Sequence, residues 1–174
     1  DDVRRAYRGE DYSAVDLKFK EDEYAMTFVL PANGQSPADF IHAFEEQGFY
    51  DFYQDLYTNK LVEGRIQVRI PKFEIEAHKK MKETLINMGM TNVFSNADLC
   101  NMGEFPGQTY LSRVLHDTYL KIDEKGAEGA AVTTVGVGVE SLPPSITFDR
   151  PFFFIIRHVD TKTPIFLGKY SDPE

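Results

Sequence analysis

From Tyr110 to Asp123 the chain reads YLSRVLHDTYLKID, with polar and apolar positions alternating over a length that predicts one long strand. The alternation also marks 12–20, YSAVDLKFK, which is followed by the acidic EDE and then by YAMTFVLP at 24–31. Two strands joined by a short turn account for this, the second being apolar enough to be buried on both faces. GRIQVRIPKFEIEA (64–77) alternates around Pro71, which predicts two strand segments with a break between them. PFFFIIRH and TPIFLGKY close the chain as two apolar strands around the polar turn VDTKT. Helical periods are fewer. Ser36-Pro37, after the turn residues NGQ, has the chemistry of a cap with proline in the first turn, and ADFIHAFEEQ then puts Phe40, Ile41 and Phe44 on one face. HKKMKETLINMG (78–89) has helical spacing at Met81, Leu85 and Met88, with Gly89 to stop it. Met81, Met88 and Met90 read as core filler. The balance is a strand-dominated α+β chain with a few helices, more than one sheet and no internal repeat.

Residues 121–155, KIDEKGAEGAAVTTVGVGVESLPPSITFDRPFFFI, break the pattern. An alternating strand ends in charge, gives way to Ala, Gly, Val and Thr with almost nothing bulky, and resumes as an apolar strand after Pro-Pro. A flexible linker would be built of Gly and Ser. A buried strand would be shorter.

Composition narrows the possibilities. At 174 residues, 42% hydrophobic and 13% aromatic, the chain belongs with globular domains that have a core. A net charge of -9 argues against a general nucleic-acid or anionic-membrane binder, because phosphate attraction needs a basic face. No apolar stretch approaches the length of a spanning helix. The start, DDVRRAYRGED, reads as an interior piece of a longer protein rather than a signal peptide, and no N-x-S/T site supports secretion. Cys100 is the only cysteine, so no internal disulfide or thiolate cluster forms, and it reads as a packed or solvent-touching thiol rather than a nucleophile.

Catalytic chemistry is not legible. His42, His78, His116 and His158 show no metal-ligand spacing on a helix face, and HExxH, GxSxG and P-loop patterns are missing. VGVGV at 135–139 is not followed by a helix, so it does not cradle phosphate. His116, inside the long alternating stretch, reads on its own as a hydrogen-bonded structural histidine. Lys79, Lys80 and Lys82 form either an anionic-polysaccharide patch or, the preferred reading, a solvated helix face offset by Glu76 and Glu83. The expectation is a protein that is not an enzyme and needs no cofactor or metal.

LKIDEKGAEGAAV, followed by SLPPSITFDRPFFFIIRHVDTKTPIFLGKYSDP, resembles a serpin. The similarity continues upstream through PKFEIEAHKKMKETLINMGMTNVFSNADL and YLSRVLHDTYLKIDEKG, and covers nearly all of the chain from about residue 12. The resemblance implies a serpin-type multi-sheet α+β fold in which residues 1–174 are a single domain, the C-terminal portion, with 125–145 as the reactive-centre loop. The upstream helices and the central-sheet strands would come from an upstream segment of the same serpin, without which this chain would not complete the inhibitory cycle. It also implies suicide-substrate inhibition of a target serine protease, with no nucleic acid or membrane involved and glycosaminoglycan as a further partner to consider. An extracellular home is expected, with the cytoplasm left open.

Inhibition by loop insertion makes demands that residues 126–135 meet. Gly126, Ala127, Gly129, Ala130 and Ala131 are small enough to thread between strands, and Val132, Thr133, Thr134 and Val135 suit the strand formed afterwards. Glu128 falls on the opposite alternation set from Ala127, so it stays in solvent while Ala127 enters. Gly129 and Val132 depart from the Ala or small polar residues of many inhibitors. Counting from the hinge, and back from PPSITFDRPF, sets the scissile bond between Glu140 and Ser141; competing registers cut after Val139 or Val137. Lys72 and Glu124 match a pair bridging the top of the central sheet, and His116 matches a histidine beneath its opening point, both in gating roles. A non-inhibitory serpin (carrier, storage protein or chaperone) is the alternative, and a C-terminal piece that only associates with its upstream half is a third.

Overall fold

The computed structural model describes residues 3–97, 99, 102, 103, 109–123 and 144–173. The strands are β1 (Val3–Arg8), β2 (Tyr12–Lys18), β3 (Tyr24–Pro31), β4 (Val62–Arg65), β5 (Gln67–Arg69), β6 (Phe73–Lys80), β7 (Leu115–Ile122), β8 (Ser145–Thr147), β9 (Phe152–His158) and β10 (Pro164–Tyr170). The helices are α1 (Pro37–Gln47), α2 (Phe49–Asp55) and α3 (Lys82–Asn87), and α2 runs directly into a π-helical turn at Leu56–Lys60. Two compact units divide the chain: Asp1–Phe73 with Ile122–Glu174, and Glu74–Lys121. Among the described residues no helix is long and apolar enough to cross a membrane.

The larger unit is built on a six-stranded sheet in the order β10-β9-β3-β2-β1-β4, antiparallel throughout. The adjacent inner strands β9 and β3 carry its longest apolar runs. β3 is buried at seven of its eight positions, as its unbroken apolar run predicts. Successive residues of β9 divide between two cores. Ile155 joins Ala14, Val29, Phe40, Tyr53, Leu56, Tyr57 and Leu61 beneath the helices. Phe152 and Phe154, on the alternate positions, join an aromatic cluster with Phe28, Phe73, Phe148 and Tyr170, whose ring centroids lie 4.7 to 5.9 Å apart. β10 follows this packing closely. A Cβ added at Gly168 would overlap the Phe154 ring, so only glycine lets that ring lie against the backbone. The Ser36 cap forms as expected, its Oγ accepting from the Asp39 N–H at 3.1 Å.

A closed polar ring sits inside this apolar frame. Asp16 on β2 accepts from the Arg157 guanidinium of β9 at 2.6 Å and from the Thr27 hydroxyl of β3 at 2.6 Å. Because the Thr27 proton goes to Asp16, the Tyr57 hydroxyl donates to Thr27, at 2.7 Å. The Arg157 guanidinium then lies 4.2 Å over the Tyr57 ring, closing the circuit. Asp16, Thr27 and Arg157 are 5%, 0% and 3% exposed. Burial pushes the Tyr57 hydroxyl above the ordinary tyrosine range, so it stays protonated and able to donate. Tyr57 faces the sheet from the π-helical turn, whose end is held by Arg5 donating to the Tyr57 and Leu61 carbonyls, both at 3.0 Å.

In the smaller unit β6 and β7 pair as a two-stranded sheet, and α3 ends in a Schellman motif. The Met90 N–H donates to the Leu85 carbonyl and the Gly89 N–H to the Ile86 carbonyl, both at 2.9 Å, with Gly89 at φ +98°. Gly89 therefore stops the helix as its position predicts. The helix itself is shorter than its apolar spacing predicts, because the chain stays in the ladder through Lys80 and Met81 donates to the Val114 carbonyl at 2.9 Å. A helix of six residues has little face to bury, so Met88 and Met90 are 77% and 50% exposed rather than in the core. The strand expected over 110–123 begins only at Leu115, since Leu111 donates to the Val93 carbonyl at 2.8 Å and turns the preceding residues away.

The ring of Asp16, Thr27, Tyr57 and Arg157 predicts a specific failure. Asp16→Asn leaves the Arg157 charge buried without a counter-ion and is expected to cost about 3–5 kcal/mol, measured as a fall in the urea midpoint of the complete protein. The joint change of Asp16→Leu with Arg157→Met is expected to recover most of that loss. A single variant as stable as the wild type would contradict this account.

Candidate functional site

Glu124, Gly126, Ala127, Glu128, Gly129, Ala130, Ala131, Val137, Val139, Glu140 and Ser141 lie outside the described residues, as does Cys100. The structure describes what holds the two ends of that stretch. On the C-terminal side the Pro144 carbonyl accepts from the Gln67 N–H at 2.9 Å. β8 then pairs in parallel with β5, Gln67 opposite Ser145, Val68 opposite Ile146 and Arg69 opposite Thr147. The Phe148 N–H closes the pairing on the Arg69 carbonyl at 2.9 Å. Ile146 and Phe148 are 4% and 2% exposed, and the Phe148 ring lies 5.6 Å from Phe28 and 5.3 Å from Phe152. The anchor is thus three ladder positions followed by a phenylalanine in the aromatic core.

On the N-terminal side the stretch leaves from β7. Met81 bonds to Val114, and the Thr118 hydroxyl to the Ala77 carbonyl at 3.5 Å, so β6 and β7 run antiparallel. The beginning of β6 therefore lies at the end of β7, and Lys72, exposed just before Phe73, stands at the end where the chain continues past Asp123 toward Glu124. His116 is exposed near the opposite end of the ladder. Of the expected gating residues that are described, Lys72 immediately precedes β6 and His116 lies within β7.

Sequence reasoning missed a contact on this ladder. His78 Nδ1 lies 2.9 Å from Asp117 Oδ1 across the strands, and Nε2 lies 3.2 Å from Glu76 Oε1 on its own strand. The hydrogen bond to Asp117, then the charges of Asp117 and Glu76, raise the His78 pKa above the ordinary histidine value. The alternation of FEIEAH, with Glu76 and His78 two apart, carries this signal if the strand is continued to Lys80. The lysines are likewise redistributed. Lys79 and Lys80 end β6, while Lys82 belongs to α3 and lies 5.7 Å over the Phe94 ring, so the three do not share a helix face.

The larger unit also has an apolar groove of about 620 Å3 between the helices and the edge of the sheet. Phe40, Phe49 and Phe52 line it from α1 and α2, Phe153 and Ile155 from β9, and Leu167 from β10. Nothing in the sequence marks it, because its wall is assembled from residues more than a hundred positions apart.

A family profile described as serpin (serine protease inhibitor) matches residues 2–173. The chain is 30% identical over 163 residues to Serpin B11 of Homo sapiens, covering 91% of this chain and 41% of that protein. It is 29% identical over 163 residues to the leukocyte elastase inhibitor of Xenopus laevis, covering 91% and 42%. Its fold is similar to thyroxine-binding globulin solved in complex with thyroxine, with a TM-score of 0.73 and 28% identity over 98% of this chain and 45% of that one. The chain spans about two-fifths of the length of the curated relatives it matches.

The C-terminal anchor carries its own prediction. Phe148→Ala empties a site between Phe28 and Phe152 and is expected to cost about 3–5 kcal/mol of stability. Urea unfolding of the complete protein measures it, and an unchanged midpoint would mean that β8 is not held by this packing.

Proposed function

The chain belongs to the serpin family, and we propose that it is the reactive-loop portion of an inhibitor that traps a serine protease as an acyl-enzyme. The observation that carries this reading is the contrast between residues 123–144 and their anchors. A connection in a compact domain is usually about 4–6 residues. This one is far longer, is composed of small and β-tolerant residues, and starts and ends on paired strands. That combination suits a segment offered as a substrate and later taken into a sheet.

In this reading the protease serine attacks the Glu140 carbonyl, the Glu140–Ser141 bond breaks, and the new ester joins Glu140 to the enzyme while the Ser141 amine leaves. Gly126, Ala127, Glu128, Gly129, Ala130 and Ala131 form the hinge that enters the central sheet supplied by the upstream segment. The native state is then metastable, held by a barrier rather than by lowest free energy. Glu140 before the cut selects a protease with a basic specificity pocket, whereas cleavage after Val139 or Val137 would select an elastase-like enzyme. Lys72 with Glu124, and His116, act as gates against premature insertion. In this reading residues 1–174 belong to one domain of the complete protein, with 125–145 as its reactive-centre loop.

A second reading, carriage of a small apolar molecule, is favoured by the phenylalanine-lined groove and by the similarity to a thyroxine-bound carrier. Equilibrium dialysis of thyroxine against the complete protein tests it. Saturation at one molecule per chain favours carriage, and no retention removes it.

Incubating the complete protein with a glutamyl-preferring serine protease tests the first reading. The expected result is a complex that survives denaturing electrophoresis and a released C-terminal peptide that begins at Ser141. A peptide beginning after Val139 or Val137 overturns the Glu140 assignment, and turnover with no stable complex overturns inhibition. Lys72→Ala and His116→Ala are each expected to increase polymer formation on mild heating, followed by native gel electrophoresis.

A further inference from the structure

Where β6 and β7 pair, one imidazole faces two carboxylates from two strands. Asp117 Oδ1 is 2.9 Å from His78 Nδ1, and Glu76 Oε1 is 3.2 Å from Nε2. We propose that His78 is a proton-operated clasp on the strand that leads into the loop, binding β7 to β6 when protonated and releasing it when neutral. The argument rests on donor count. A protonated imidazole has two N–H groups and satisfies both carboxylates together, whereas a neutral ring has one and turns a bare lone pair toward the other anion. Loss of the proton also removes the positive charge that separates Glu76 from Asp117, and like charges across a ladder are unfavourable.

Other charged and titratable groups share the ladder with His78. Glu74, Glu76 and Lys80 share its alternation set on β6, and Asp117, Tyr119 and Lys121 occupy the exposed alternate positions of β7. Lys79 and His116 belong to the other set of each strand. Desolvation and then its hydrogen bond to Glu74 raise Tyr119 above the ordinary tyrosine range, so that neighbouring cross-strand pair holds its state where histidine changes. The two carboxylates raise the His78 pKa, which fixes the sign. The bridge is fully present below the ordinary histidine value of about 6.5 and is lost as pH rises through the raised one. The clasp is closed in mild acid and opens on the alkaline side.

This property belongs to the β6–β7 ladder and holds whether the complete protein inhibits or carries. Hydrogen exchange read by mass spectrometry on the complete protein tests it, with rates corrected for the intrinsic pH dependence of exchange. Protection of peptides covering 115–122 is expected to fall about two- to five-fold between about pH 6 and about pH 8.5 in the wild type. His78→Gln is expected to give a flat profile, and His78→Lys, permanently charged, to keep the acid-side protection throughout. A flat wild-type profile, or a wild-type slope retained in either variant, overturns the proposal.

Discussion

Taking Arg157 and Asp16 out of water costs several kcal/mol per ion, and close pairing with further hydrogen bonds is what offsets it. The sheet supplies that in one arrangement. Asp16 has to face Thr27 across β2 and β3, β9 has to bring Arg157 to the same face, and the π-helical turn has to put Tyr57 over the guanidinium. A slip of one residue in any of these strands would move a charge to the opposite face, among Phe28, Phe152 and Phe154. The apolar residues supply most of the driving force for burial, but they tolerate approximate registers. The polar ring does not, so it selects which of the possible pairings of β2, β3 and β9 is the folded one.

That selection reaches the candidate site through β9 and the aromatic core. The register that brings Arg157 to Asp16 also puts Phe152 on the far face, where Phe148 packs against it and against Phe28. Phe148 follows β8 directly, and β8 is where the long connector ends. A polar contact beneath the helices therefore sets the position of the connector's C-terminal stem, although Asp16, Thr27 and Tyr57 lie far from it in sequence.

Much of this was legible in the sequence. Alternation marked β2, the first part of β6, and β7, continuous apolar character marked β3, β9 and β10, and Ser36 and Gly89 marked helix ends. The small, β-tolerant composition of 126–135 fits neither a strand nor a helix period, so its signal is one of chemistry rather than periodicity. What escaped depended on partners distant in the chain. β5 and β8 are three residues each, too short for a period to register, and exist because they pair with one another. The run HKKMKE has helical spacing, yet cross-strand hydrogen bonds to Val114 and Asp117 keep its first half extended. Asp16 and Arg157 read as ordinary strand residues until β3 brings them to either side of Thr27. The phenylalanine groove is a property of tertiary packing alone.

The two stems of the connector are held by different physics, which bears on which of them yields. The stem at β8 ends in Phe148, whose attachment is apolar burial, independent of any titrating group and lost only by opening the aromatic core. The stem at β7 belongs to a ladder of two strands whose outward positions are polar, with Leu115 and Tyr119 more than half exposed. Among the described residues this ladder has two strands, and exposed ion pairs between them are weakened by water and by salt. The difference puts the histidine clasp on the stem where a small change in binding energy has the larger effect.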